Sequence, residues 1–223
     1  MLTFLNGQMA RRKKQKQAEF KTFENCFDRQ AALKGRWHEH FGNNNPIYLE
    51  LGCGKAAFSL EMARRYPGRN FVGIDLKADR LWYAAKLALE QGLNNLALLQ
   101  INLLTVGEHF ADNEVDEIWI TFPDPFPKKR QAKHRMINPQ FLRLYELILR
   151  PGGRFHLKTD NLELFHYTLE ILVRQPHLQL CSLSFDLHED ELIAEEAKIK
   201  TAYEEQFLAM GKKINYLSWK VNA

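Results

Sequence analysis

From Ile47 onward the chain alternates two apolar patterns. Short, nearly continuous apolar runs at Ile47–Leu51, Asn70–Asp75, Leu96–Ile101, Glu117–Phe122 and Arg154–Lys158 read as strands covered on both faces. Between them, apolar residues recur at helical spacing over Ala56–Tyr66, Ala78–Gln91, Asn138–Leu149 and Asn161–Arg174. Turn residues separate the segments: Pro67-Gly68 follows the first helix, Gly92 caps the second, and Pro151-Gly152-Gly153 stops the third. Leu178–Phe185 and Ile214–Trp219 are β-rich closing segments. Strands alternating with helices predict βαβ units, hence an α/β fold with a mainly parallel central sheet flanked by helices. In such sheets ligands bind beyond the carboxyl ends of the strands. That rule selects Glu50 to Ala57, Asp75, Asn102, Phe122 to Arg135, and Thr159-Asp160.

The 223 residues match one domain at about 150 residues each, with extensions. Hydrophobic content of 45% with 26% charged residues excludes whole-chain disorder and a fibrous repeat. The expected division is a basic N-terminal arm over 1–35, partly helical or disordered, and a single domain over 36–223. A turn signal near Gly42 to Pro46 precedes the first long strand. No apolar run approaches the ~18 residues of a membrane span, and the first residues lack a secretory pattern. Cys26, Cys53 and Cys181 lie far apart with no Cys-x-x-Cys, so a reducing cytoplasm is the expected setting. The net charge is only +4, but residues 1–21 carry six basic side chains against Glu19 alone. Residues 120–160 add nine basic against three acidic, while 186–205 hold eight acidic against two basic. A basic arm and a basic segment suggest a polyanionic partner; a merely solvated tail is the alternative for the arm.

Two loops carry the chemistry. Glu50-Leu51-Gly52-Cys53-Gly54-Lys55-Ala56 links the first strand to the first helix, and its glycines allow close backbone approach to a ligand. Asp75 ends the next strand about 20 residues on, where a carboxylate can accept ribose hydroxyls. Gly52, Gly54 and Asp75 suit a dinucleotide, and they also suit S-adenosylmethionine (SAM). Glu50 favours SAM, because a carboxylate would repel a pyrophosphate and attract ammonium and sulfonium charge. Asn102 follows the third strand, where it can meet an adenine edge or simply serve a turn. The second loop is Phe122-Pro123-Asp124-Pro125-Phe126-Pro127. Its prolines cannot continue a strand, and they stiffen the chain around Asp124. Lys128, Lys129, Arg130, Lys133 and Arg135 follow it. Rigid carboxylate, aromatic ring and basic run together suit a base on a phosphate backbone. His38-Glu39-His40 lacks metalloprotease spacing and further ligands, so no metal is expected. Cys53 reads as a small residue in a crowded turn, and Trp82-Tyr83 as core packing.

The motifs Glu50-Leu51-Gly52-Cys53-Gly54, Gly73-Ile74-Asp75, Phe122 through Arg130, Arg150-Pro151-Gly152-Gly153, Thr159-Asp160 and Thr201-Ala202-Tyr203-Glu204 occur in a telling order. The chain thereby resembles the bacterial tRNA (guanine-N7)-methyltransferase (TrmB) family over residues 47–219. The resemblance implies a Rossmann-like class I SAM-dependent methyltransferase fold. It implies a tRNA partner, with methyl transfer to N7 of the variable-loop guanine at position 46. It implies SAM contacts at Glu50, Asp75, Asn102 and Asp124, beside the Gly52 and Gly54 read from the loop itself, with Asp124 catalytic and S-adenosylhomocysteine as product. Lys128, Asp160, Thr201, Tyr203 and Glu204 are implied substrate contacts, and Arg130, Lys133 and Arg135 belong to the implied RNA-contacting segment. The chain departs from the family pattern at Ala56 for a third glycine and at Phe126 for a tryptophan. It departs also at Phe165 for a tyrosine and at Asn102 for an aspartate. A nicotinamide-dependent reductase and a non-catalytic RNA-binding module remain as alternatives. No membrane partner is expected, and the chain is read as a monomer or a homodimer.

Overall fold

A computed structural model describes residues 2–222; Met1 and Ala223, the outermost positions of the two expected segments, lie outside the described residues. The strands are β1 (Cys26–Asp28), β2 (Ile47–Leu51), β3 (Asn70–Asp75), β4 (Leu96–Gln100), β5 (Val115–Thr121), β6 (Leu149–Thr159), β7 (Leu178–Ser184) and β8 (Asn215–Val221). The helices are α1 (Leu2–Phe20), α2 (Trp37–Phe41), α3 (Ala57–Arg65), α4 (Ala78–Glu90), α5 (Pro139–Ile148), α6 (Leu162–Val173) and α7 (Ala202–Ala209). Short 3-10 turns occupy Leu103–Glu108 and Lys129–His134.

All eight strands form one sheet in the order β1-β4-β3-β2-β5-β6-β8-β7. The first six are parallel, and β8 runs antiparallel to both β6 and β7. Every residue of β2 and β3 is buried, which is why these strands read as continuous runs rather than alternating ones. One apolar layer packs α5 and α6, through Leu142, Tyr145 and Leu164, against Leu49, Val72 and Ile118. The opposite layer packs α3 and α4, through Phe58, Met62, Leu81 and Ala85, against Tyr48, Phe71 and Trp119. Helices on both faces of a mainly parallel sheet are the architecture the periodicity predicts.

The sheet winds outward in two directions from β2, which pairs with β3 on one side and β5 on the other. The crevice at the carboxyl ends of β2 and β5 is therefore the switch point where such sheets take ligands. Within 1–35, α1 packs along α4, and Cys26–Asp28 adds an edge strand to β4. Phe20 is fully buried in the α3–α4 layer. Trp82 packs on the rim of the α3–α4 layer as expected, while Tyr83 does not enter the core. Trp82 Nε1 donates to Glu19 at 2.8 Å, Lys16 lies 3.9 Å from the centre of the Tyr83 ring, and Tyr83 is 43% exposed. Together they form the seat for α1. The third helix stops at Ile148 as Pro151 requires, but β6 starts at once, so the Arg150–Gly153 segment is already in the strand.

Candidate functional site

The glycine loop turns sharply between β2 and α3. Gly54 has a φ of 58°, and a Cβ there would meet open space, so the loop leaves room above its backbone. The loop is tied to β3 by Cys53 N donating to Ile74 O at 3.0 Å. Gly73 makes that approach possible: a Cβ at this position would lie 3.0 Å from Leu98 Cδ1 and 3.2 Å from Cys53 Sγ. Cys53 is thus a packing residue, and burial holds its thiol well above its ordinary pKa, away from thiolate chemistry. Ala56, where a third glycine was expected, takes the left-handed conformation at φ 51° and caps α3.

Asp75 receives two backbone donors, Gly54 N on Oδ2 at 3.0 Å and Lys77 N on Oδ1 at 2.9 Å. It therefore braces the glycine loop from the end of β3. Exposed Leu76 and Leu104 lie beside Asp75 and Asn102 on the loops after β3 and β4. Asn102 itself takes the turn role, its Oδ1 accepting from Leu104 N at 3.0 Å. Glu50 is only 3% exposed. Its Oε2 accepts from Ser59 N at 3.0 Å and from Ser59 Oγ at 2.5 Å, and its Oε1 from Thr121 Oγ1 at 2.6 Å. Glu50 thus bridges β2, β5 and α3 at the switch point. Burial raises its pKa, and these three donors pull it back toward the ionised form.

Across the crevice, the proline loop leaves β5 with two non-glycine residues in the left-handed region, Phe122 at φ 50° and Phe126 at φ 42°. Such conformations persist only where surroundings hold them. Phe122 N donates to Lys158 O at 2.8 Å, and its ring packs on Phe207 of α7. Asp124 is exposed between the two bends. Lys128, Arg130 and Lys133 are exposed after it, but Arg135 is buried and bonds back to the loop. The segment expected as one RNA-contacting run is therefore split.

The late motif is also divided. Thr201 is the N-cap of α7, its Oγ1 accepting from Glu204 N, and Glu204 Oε2 accepts from Thr201 N in return. Glu204 is fully buried, bonded by Lys158 Nζ at 2.7 Å and by His188 Nε2 at 2.8 Å. Lys158 is fully buried too and also donates to Ile199 O at 2.8 Å. Desolvation lowers the Lys158 pKa, while Glu204 and Glu50 oppose that shift. Only Tyr203, at 59% exposure, projects outward among Thr201, Tyr203 and Glu204. Asp160, at the end of β6, pairs with Lys212 at 2.5 Å. Phe165 lies in the core against Phe185. Sequence reasoning did not single out Ser59, Thr121, Lys158, His188 or Tyr167. A lysine in step with His156 on one face of the strand Phe155-His156-Leu157-Lys158 was the signal available for Lys158. His38 and His40 sit on α2, where His38 bonds Asn43 O and His40 packs on Phe27; among the described residues no acidic, histidine or cysteine cluster could hold a metal ion.

A glycine loop, a strand-end aspartate and a switch-point crevice, on a parallel sheet that ends with β8 inserted antiparallel between β6 and β7, match the class I SAM-dependent methyltransferase fold. Solved structures agree on the fold. A 16S rRNA methyltransferase, KamB, superposes with a TM-score of 0.65 at 16% identity, covering 85% of this chain and 94% of that one. A 16S rRNA (adenine(1408)-N(1))-methyltransferase from Catenulisporales acidiphilia, solved with cosubstrate SAM, superposes at 0.60 with 16% identity, covering 85% and 91%. A family model described as "Putative methyltransferase" matches residues 44–217. A tRNA (guanine-N(7)-)-methyltransferase of Christiangramia forsetii is 44% identical over 89% of each chain. That of Cytophaga hutchinsonii is 42% identical over 85% of this chain and 86% of its own. The chain belongs to the tRNA (guanine-N7)-methyltransferase (TrmB) family. The choice left open by the glycine loop, between a nicotinamide-dependent reductase and a methyltransferase, falls to the methyltransferase.

Proposed function

We propose that this protein transfers the methyl group of SAM to N7 of guanine 46 in the tRNA variable loop and releases S-adenosylhomocysteine. The observation that carries the proposal is the exposed Asp124, framed by prolines across the switch-point crevice from the glycine loop, in a chain of this family. The residues present fit SAM. Open space lies over Gly54, Asp75 keeps acceptor capacity beside the one donor on each oxygen, and Leu76 and Leu104 offer apolar surface for an adenine. Gly52 and Gly54 let the backbone come close, Asn102 shapes the adenine end, and Glu50 fixes the floor with negative charge beneath the amino-acid end.

When bound, SAM supplies an electrophilic methyl on a sulfonium. Guanine N7 carries an in-plane lone pair and no proton, so the chain needs no strong general base. Its task is to align the lone pair with the methyl and to meet the positive charge that appears on the purine. Asp124 fits that role as the catalytic carboxylate, and it can accept guanine N1–H and amino protons. Asp160 and Tyr203 complete the base contact, with Thr201 and Glu204 holding α7 behind them. Lys128, Arg130 and Lys133 meet phosphates. The setting is the cytoplasm, in keeping with the free thiols of Cys26, Cys53 and Cys181.

The test is transfer of labelled methyl from SAM to unmodified tRNA, then reduction and aniline cleavage to locate 7-methylguanosine. Cleavage at position 46 is the expected result. Label at another base, or none, would overturn the assignment.

A further inference from the structure

We propose that Arg135 is a positioning residue that fixes Asp124 through the backbone of the proline loop, and is not a contact to RNA phosphate. Arg135 is 8% exposed, whereas Lys128, Lys129, Arg130 and Lys133 around it are exposed. Its Nε donates to Pro125 O at 2.9 Å and its Nη2 to Phe126 O at 3.1 Å. The guanidinium stands 4.3 Å from the centre of the Tyr167 ring on α6. One planar fork thus grips two successive carbonyls while its face lies on a ring, a geometry that an ammonium cannot reproduce.

The carbonyls it grips belong to the two residues after Asp124. Phe126 is held there in a left-handed conformation that a bulky side chain seldom adopts. The other bend, Phe122, is held by Lys158 O and by packing on Phe207. Asp124 is therefore suspended between two strained bends, each tied down from a different element. Asn138 extends the Arg135 side of the anchorage, because its Nδ2 donates to Lys133 O at 2.6 Å and its Oδ1 caps α5. Releasing the Arg135 fork frees the Phe126 bend to relax, and the carboxylate moves with it. Misplacement by an ångström is enough to slow an aligned transfer by about 100-fold.

The proposal rests on the methyl-transfer reading for its kinetic test, and a second readout is independent of that reading. Arg135→Lys is expected to lower single-turnover transfer at saturating SAM and tRNA by about 10- to 100-fold. The tRNA dissociation constant and its salt slope should stay within about twofold of wild type. Hydrogen exchange in the peptide spanning 121–130 should quicken in the same variant without tRNA present. Methylguanidine in solution should partly restore transfer to Arg135→Ala. Tyr167→Leu, which removes only the ring beneath the fork, should give a smaller loss in the same direction, and it decides the matter if Arg135→Lys fails to bind SAM or to fold. Unchanged exchange in 121–130, together with weaker tRNA binding and a salt slope reduced by about one, would overturn the proposal and make Arg135 a phosphate contact. If the wild-type protein transfers no methyl to tRNA, the functional reading fails, and the exchange measurement still judges the clamp.

Discussion

Three carboxylates at the crevice occupy different environments, and the two extremes predict different experiments. Asp124 is exposed and has no ion-pair partner among the described residues. Its charge is free to act on the substrate. Asp124→Asn keeps the size and removes the charge, so transfer at saturation should fall by about 100- to 1,000-fold with little change in tRNA affinity. Normal single-turnover rates would remove Asp124 from the catalytic role. Glu50 is the opposite case, buried beneath Ser59 and Thr121 with a raised pKa. A carboxyl whose folded pKa exceeds the unfolded one contributes stability below the unfolded value and loses it as pH rises through the folded value. Glu50→Gln, free of that titration, should therefore gain in stability relative to wild type as pH rises from the ordinary carboxylate range toward neutrality. Urea unfolding at both ends of the range measures it. A relative gain toward acid would instead mean that its three donors outweigh the desolvation. Asp75 lies between these extremes, with a donor already on each oxygen.

At the scale of elements, α7 combines the packing of Phe207 and Leu208 with one buried ion pair. Glu204 is its sole buried residue, and Lys158 meets it from β6. Removing one partner of such a pair leaves a charge uncompensated, at about 3–5 kcal/mol. Glu204→Leu should therefore destabilise strongly, while Lys158→Met with Glu204→Leu should recover much of the loss in a double-mutant cycle. Purely additive effects would show that the two charges do not depend on each other. The same helix shows what the sequence makes legible. β2 and β3 were readable because every residue in them is buried and most are apolar, and α4 because its stripe is regular. α7 has no such stripe, and β1 is three residues whose strand character comes from pairing with β4. The placement of Gly54, Asp75 and Asp124 at the carboxyl ends of strands was legible, because each follows an apolar run directly. The inward turn of Glu204 and Arg135 was not, since their partners Lys158, His188, Pro125 and Tyr167 come together only through tertiary packing.

For the molecule as a whole, the sheet divides the work at β2. The loops after β2, β3 and β4 carry the glycine loop, Asp75 and Asn102. The loops after β5 and β6, with α7, carry Asp124, Asp160 and Tyr203. Basic charge borders the first group as well as the second, because α1 is seated on α4. That seat places Lys16 against Tyr83, whose ring is 5.2 Å from Lys55 Nζ of the glycine loop. Gln17 and Lys13 also reach Asp79 at the start of α4. The arm's charge is thus fixed beside the glycine-loop side of the crevice, while Lys128, Arg130 and Lys133 lie on the other. A polyanion lying across the crevice would meet both. Arg11, Arg12, Lys13 and Lys14 are exposed, and the seat relies chiefly on Lys16, Gln17 and Glu19, so replacing those four by glutamine should leave α1 docked. Every phosphate that the variant no longer neutralises should reduce the slope of log K for tRNA against log salt by about 0.7–0.9. SAM affinity, measured by calorimetry without tRNA, should not change. A fall of about two units or more in the slope would place the arm on the RNA backbone. An unchanged slope would make α1 a brace for α4 and leave tRNA attraction to the basic run beside Asp124.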